Sequence, residues 1–102
     1  MKKALIIGMG FGRAVYKPVL EELGYQVITV DPIQPADFLT VDDAIIVHRH
    51  FDTVNICTPN FTHELLARAV APYADIVFVE KPGVKDHYSW RQMVIDNPTT
   101  RF

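Results

Sequence analysis

Lys3-Ala-Leu-Ile-Ile-Gly8-Met-Gly10 is the stretch that decides the fold. A short apolar run ends in glycines, as a buried parallel strand does when it turns at once into a helix. Phe11 to Leu23 then carries apolar residues at 11, 15, 19, 20 and 23, a helical period. Pro18 lies inside that period and predicts a kink or a shortened helix. Gly24 predicts the stop. Tyr25 to Val30 reads as a second strand, closed by Asp31-Pro32. Strand, glycine turn, helix and strand make half of a doubly wound sheet.

The rest of the chain extends this pattern. Pro32-Ile-Gln-Pro-Ala36 is a poor helix former, so a short loop replaces the crossover helix often found here. Asp37 to Thr40 reads as a small third strand. Val41 to His50 reads as a helix, with Thr40 as N-cap and Asp42 and Asp43 in the first turn, where the helix dipole favours negative charge. Thr53 to Cys57 is the fourth strand, with Cys57 a small core residue. Asn60 or Thr62 caps a helix through Ala69 or Val70. Asp75 to Val79 is the fifth strand, and Asp86 to Ile95 a last helix ended by Asn97-Pro98. Thr99 to Phe102 reads as a tail. The expected fold is a Rossmann-type, doubly wound α/β domain spanning residues 1–102, with a mainly parallel sheet of about five strands and helices on both faces.

Composition narrows the function. Hydrophobic residues make up 49% of the 102-residue chain, which is globular rather than disordered. A net charge of -2 without a basic patch argues against nucleic acid or an acidic membrane as partner. Cys57 is the one cysteine, so no internal disulfide forms. Ala4 to Ile7 is too short for a signal peptide or a membrane span, and a cytoplasmic location is expected. His48 and His50 are two apart and do not share a helix face, so no metal site is expected.

A pyrophosphate requires backbone N–H donors at a helix N-terminus with no Cβ in the way. Gly8 and Gly10 fill the first two positions of the G-x-G-x-x-G pattern. Arg13 stands at the third, with Gly12 one place early. The candidate turn is therefore Gly8, Gly10, Phe11 and Gly12, and either Arg13 points away or the helix starts differently, with direct contact of Arg13 to phosphate a further reading. Asp31, roughly 20 residues on, ends the second strand, where a carboxylate can accept hydrogen bonds from ribose hydroxyls. No Lys or Arg lies between Asp31 and His48 to take a 2′-phosphate. NAD is therefore expected in preference to NADP. The alternative is that Asp31 is only a turn residue before Pro32.

Asp52-Thr-Val-Asn-Ile-Cys-Thr58-Pro59-Asn60-Phe-Thr-His63, followed after one helix by Val77-Phe-Val-Glu80-Lys81-Pro82, resembles the glucose–fructose oxidoreductase / inositol dehydrogenase (Gfo/Idh/MocA) family. Gly8-Met-Gly10 with Tyr16-Lys-Pro-Val-Leu20 also looks like that family's first turn and helix, with Tyr16 where a histidine is usual. The resemblance covers roughly residues 2 to 83. It implies that Thr58, Pro59 and Asn60 line the dinucleotide near its pyrophosphate and nicotinamide ribose, and that His63 braces the loop. It also implies that Glu80, Lys81 and Pro82 lie beside the nicotinamide, with Lys81 the catalytic or positioning residue. All of them fall at carboxyl ends of predicted strands, where open α/β sheets bind ligands.

The family's second, substrate-binding domain has no counterpart in this chain, which stops at Phe102. Two function classes follow. One is the NAD-binding domain of an oxidoreductase, transferring hydride on a sugar- or polyol-like hydroxyl or carbonyl carbon when another domain or subunit completes it. The other is a non-catalytic nucleotide-sensing or interaction module that keeps the core. A gene fragment without an independent role is a third reading. An unfinished half should leave an apolar patch, and Tyr88, Trp90, Met93 and Phe102 are candidates for self-association or a partner chain through the C-terminal region.

Overall fold

Ala4, Leu5, Ile6 and Ile7 are buried on both faces of one strand, which only a central strand of a covered parallel sheet allows. That strand, β1 (Lys3–Ile7), pairs in parallel with β2 (Gln26–Val30) on one side and β3 (Phe51–Ile56) on the other, and β3 pairs with β4 (Ala74–Val79). The order β2-β1-β3-β4 is wholly parallel. The computed structural model describes residues 2–33, 35–58, 63–79 and 87–102, with the side chains of 10–15, 63–64 and 87–90 outside that description. Among the described residues the helices are α1 (Met9–Glu22), α2 (Val41–His48), α3 (His63–Val70) and α4 (His87–Asp96), with a short 3-10 turn at Ala71–Tyr73. The fold is Rossmann-like.

Register separates the two faces. Leu5 and Ile7 lie level with Ile28 and Val30 of β2 and with Val54 and Ile56 of β3, and Val77 of β4 continues the row. This face packs with Ala44 of α2, Ala67 and Val70 of α3 and Met93 of α4 into one core. The other face, carrying Ala4 and Ile6, lies beneath α1, which packs on β1 and β2. Helices thus lie on both faces.

Several local readings hold. α1 ends where Gly24 takes φ +91°, with Gly24 N–H donating to Glu21 O (3.0 Å) and Tyr25 N–H to Leu20 O (3.1 Å). That is a Schellman cap, which satisfies carbonyls the last turn leaves open. Thr40 caps α2, its Oγ1 accepting from Asp43 N–H at 3.2 Å. Pro18 lies within α1, but the helix runs on to Glu22.

Other readings need correction. The described sheet has four strands rather than five. Residues 37–40 supply a single bridge, Val30 to Phe38. The reason is Asp37. Its carboxylate accepts from Thr29 N–H and from Thr29 Oγ1, both at 3.1 Å, while its own N–H donates to Thr29 Oγ1 at 2.9 Å. A side chain satisfies the β2 edge where a strand would have paired, and pairing stops. α1 starts at Met9 rather than Phe11, and β3 runs from Phe51 to Ile56, leaving Cys57 just beyond it and half-buried. The tail is fastened. Arg101 pairs with the outer edge of β4 through Val77 N–H to Arg101 O (2.7 Å) and Arg101 N–H to Asp75 O (2.8 Å). Thr100 Oγ1, buried, donates to the carbonyls of Ala71 and Ala74, 2.7 and 3.0 Å away. Met93 is fully buried and belongs to the core, not to a surface patch.

Candidate functional site at the carboxyl edge

Strand order reverses between β1 and β3, and open α/β sheets bind ligands in the crevice outside the carboxyl ends at such a point. Gly8 leaves β1 there, Asp31 leaves β2, and Cys57 and Thr58 leave β3. Short backbone bonds lock these ends together. Gly8 N–H donates to Val30 O at 2.8 Å, and Cys57 N–H to Ile7 O at 2.8 Å.

Gly8 cannot be another residue without strain. Its φ is +96°, and a Cβ there would sit 3.0 Å from Cys57 C, Cys57 O and Thr58 Cγ2. The turn therefore lies flat against the end of β3 and leaves the N-terminus of α1 unshielded by side chain at its first position. Gly8 is the N-cap and offers no side-chain cap. Asp31 supplies one from the neighbouring strand. Its Oδ2 accepts from Met9 N–H at 2.7 Å and its Oδ1 from Ile33 N–H at 2.8 Å. Asp31 is 8% exposed, and its carboxylate lies at the positive end of the helix dipole, where negative charge is stabilised.

The structure thus brings Gly8, Asp31 and Thr58 to one edge. Gly10, Phe11 and Gly12 continue it as the first turn of α1. Pro59, Asn60, Glu80, Lys81 and Pro82 lie outside the described residues. His63 opens α3, its side chain outside the description.

Behind this edge lies a cleft of about 590 Å³, lined by Tyr16, Leu20, Asn55, Ile56, Cys57, Phe78 and Val79. It opens on the α1 face, over β3 and β4. Phe78 is 54% exposed there, although it sits in a parallel strand. Thr53, on the same face as Asn55, keeps a buried Oγ1 without a hydrogen-bond partner among the described residues. This cleft was not anticipated from sequence, but a signal was present. Thr53, Asn55 and Cys57 alternate with Val54 and Ile56, giving β3 one face more polar than the other.

Two histidines make contacts outside this edge. His48 packs between Phe38 (ring centroids 5.8 Å apart, edge-on) and Phe51 (6.1 Å). Burial, with Lys3 nearby, holds its pKa below the ordinary value, and Asp37 opposes this. His50 meets Asp75 at 3.1 Å on the surface. No group of three or more His, Cys, Asp or Glu among the described residues could hold a metal ion. No described helix is long and apolar enough to cross a membrane.

Among solved structures, the chain is similar to D-galactose-1-dehydrogenase from Rhizobium etli, with a TM-score of 0.77 and 17% sequence identity. The match covers 93% of this chain and 34% of that one, so the chain spans about a third of that structure's length. At this identity the likeness is one of fold. No protein-family model and no curated protein matches the chain.

Proposed function

We propose that the chain is an NAD(H)-binding Rossmann-type domain of a Gfo/Idh/MocA-like oxidoreductase. The observation that carries this is the Gly8 turn. It has positive φ, has no room for a Cβ against Cys57 and Thr58, and opens a helix at the point where strand order reverses. Backbone donors at such a turn suit a pyrophosphate. Asp31 at the end of β2 suits a ribose diol, which favours NAD over NADP. Completed by a further domain or subunit, the domain would serve hydride transfer on a sugar- or polyol-like hydroxyl or carbonyl carbon. The fold likeness to a sugar dehydrogenase supports this class. Bound NAD(H) would carry the hydride. Gly8, Gly10, Phe11, Gly12, Thr58, Pro59, Asn60, His63, Glu80 and Pro82 would hold and orient it. Lys81 would position substrate or move its proton.

The test is NADH and NADPH binding to the purified chain, by thermal shift and calorimetry. A ligand at a hundredfold excess over its Kd stabilises by about 2.7 kcal/mol, which raises Tm by on the order of 10 °C in a domain this small. A shift with NADH larger than with NADPH is the expected result. A cooperative melt unmoved by either refutes the reading.

One observation favours the interaction-module alternative, a non-catalytic protein retaining the core. The half-exposed Phe78 and the adjoining cleft leave part of a parallel sheet open, and such sheets are normally covered on both faces. Phe102 is exposed close by, since Arg101 pairs with β4. A partner chain or a second copy would bind there, through the C-terminal region. Cofactor binding with no turnover in any assembly, unaffected by Lys81→Ala, would favour this alternative. A clean monomer by sedimentation at high concentration would count against self-association.

A further inference from the structure

We propose that Asp31 is a positioning residue that sets the phosphate-binding turn before any ligand arrives, an inference that rests on the dinucleotide reading and assigns Asp31 a task other than choosing between cofactors.

The geometry is a two-point grip. Oδ2 holds Met9 N–H at 2.7 Å and Oδ1 holds Ile33 N–H at 2.8 Å. Met9 is the residue between Gly8 and Gly10, and the first of α1. Ile33 belongs to the loop that follows β2. One carboxylate therefore joins the glycine turn, the end of β2 and the loop beyond it. The residue is itself held, its N–H donating to Phe38 O at 3.1 Å, and it is 8% exposed.

The turn needs such a grip. Glycine populates positive and negative φ about equally, so Gly8 by itself does not hold φ at +96°. Its own N–H is fixed by Val30 O at 2.8 Å, which anchors the entry of the turn. The next N–H in the chain is that of Met9, and Asp31 anchors it. With both fixed, the peptide between Gly8 and Met9 has one orientation. That orientation decides where the following N–H groups of α1 point.

The grip is compatible with ribose contact. Each carboxylate oxygen offers two acceptor sites. The bond to Met9 takes one such site on Oδ2, so holding the turn does not by itself rule out a ribose hydroxyl on the same carboxylate. Cofactor choice and turn setting are then separable by experiment.

Asp31→Asn separates them. An amide has one acceptor oxygen where the carboxylate has two, and its NH2 would face one of the two backbone donors. On our proposal, the Met9 amide in the free wild-type chain is protected from hydrogen exchange. In the variant it loses that protection, and Tm falls by several degrees. Measured well below that Tm, NADH and NADPH both bind more weakly, by on the order of tenfold. Three results overturn the proposal. One is an unprotected Met9 amide in the free wild-type chain, a reading that needs no variant. Another is unchanged Met9 protection in Asp31→Asn with NADH weakened and NADPH improved, which makes Asp31 only a selector. The third is a lowered Tm with both affinities intact, which makes it only a structural residue. If wild-type chain binds neither cofactor, the dinucleotide reading fails by itself. The Met9 exchange difference then still upholds or overturns the grip.

Discussion

Two glycines of this chain share a positive φ but not a neighbourhood, and their alanine variants should show what crowding adds to strain. Gly8 has φ +96° and Gly24 has φ +91°. Around Gly24 a new Cβ meets nothing within 4 Å, whereas at Gly8 it meets two backbone atoms and a methyl at 3.0 Å. Left-handed strain costs about 1–2 kcal/mol for a residue with a Cβ. Alanine's reduced freedom in the unfolded chain returns about 0.4–1 kcal/mol. Gly24→Ala should therefore cost roughly 1 kcal/mol. Gly8→Ala carries strain of at least that size, because its ψ of 103° lies outside the left-handed helical region, and adds overpacking of about 1–3 kcal/mol. The obstructing atoms are backbone of Cys57, itself bonded to Ile7, so they cannot swing aside as a flexible side chain would. Gly8→Ala should cost about 2–4 kcal/mol. At about 4–8 °C per kcal/mol for a domain near this size, the two variants should melt on the order of 10 °C apart. Urea titration with a shared m-value gives the same comparison at 25 °C. Equal losses, or a smaller loss at Gly8, would mean that β1 and β3 do not close on the turn as described. The crevice built on that closeness would then be wrong too.

Three further outcomes follow from single residues. Arg49 holds φ 66° with His50 N–H bonded to His48 O at 2.7 Å, a tight turn in a region that costs a side chain about 1–3 kcal/mol. Arg49→Gly should raise Tm by a few degrees, after allowing about 0.5–1 kcal/mol for glycine's greater freedom when unfolded; a lowered Tm would contradict the strain. His48 has its folded pKa below the unfolded 6.5, so the native state binds the proton less well. The stability this represents is full above pH 6.5 and lost as pH falls from there toward the folded value. The wild type should lose stability relative to His48→Gln across that window, and parallel pH profiles would refute the assignment. Met93, buried at 0% exposure, should cost about 2–5 kcal/mol as Met93→Ala; a loss under 1 kcal/mol would return it to the surface.

The first half of the sheet was legible because its signals are local. Ala4 to Ile7 is apolar on both faces, Gly24 ends the helical period, and Thr40 stands one residue before its helix. Each acts within a few residues of itself. The start of α1 was misread because its cap comes from Asp31, 22 residues from Met9 in the chain. Nothing in residues 8 to 12 announces it. Asp37 misled for the opposite reason. It falls in a stretch that reads as strand, but its side chain bonds Thr29 and takes the place of a backbone partner. Arg101 pairs with a strand through a single bridge, which leaves no periodic trace. At the candidate site the positions of Gly8, Asp31 and Thr58 were legible, because strand ends fix them. Which atoms Asp31 holds was not, because that depends on how two neighbouring strands are aligned.

The two margins of the sheet differ in what they admit. Along β2, Asp37 and Phe38 occupy hydrogen-bonding groups of Thr29 and Asp31, and a carboxylate at the margin is a poor neighbour for any incoming strand. Along β4, Arg101 occupies the carbonyl of Asp75 and the N–H of Val77. Strand addition is therefore hindered at the carboxyl end of β2 and at the start of β4. The Asp37 carboxylate, bonded two residues before Asp31, thus guards the strand that ends at the crevice against an incoming neighbour.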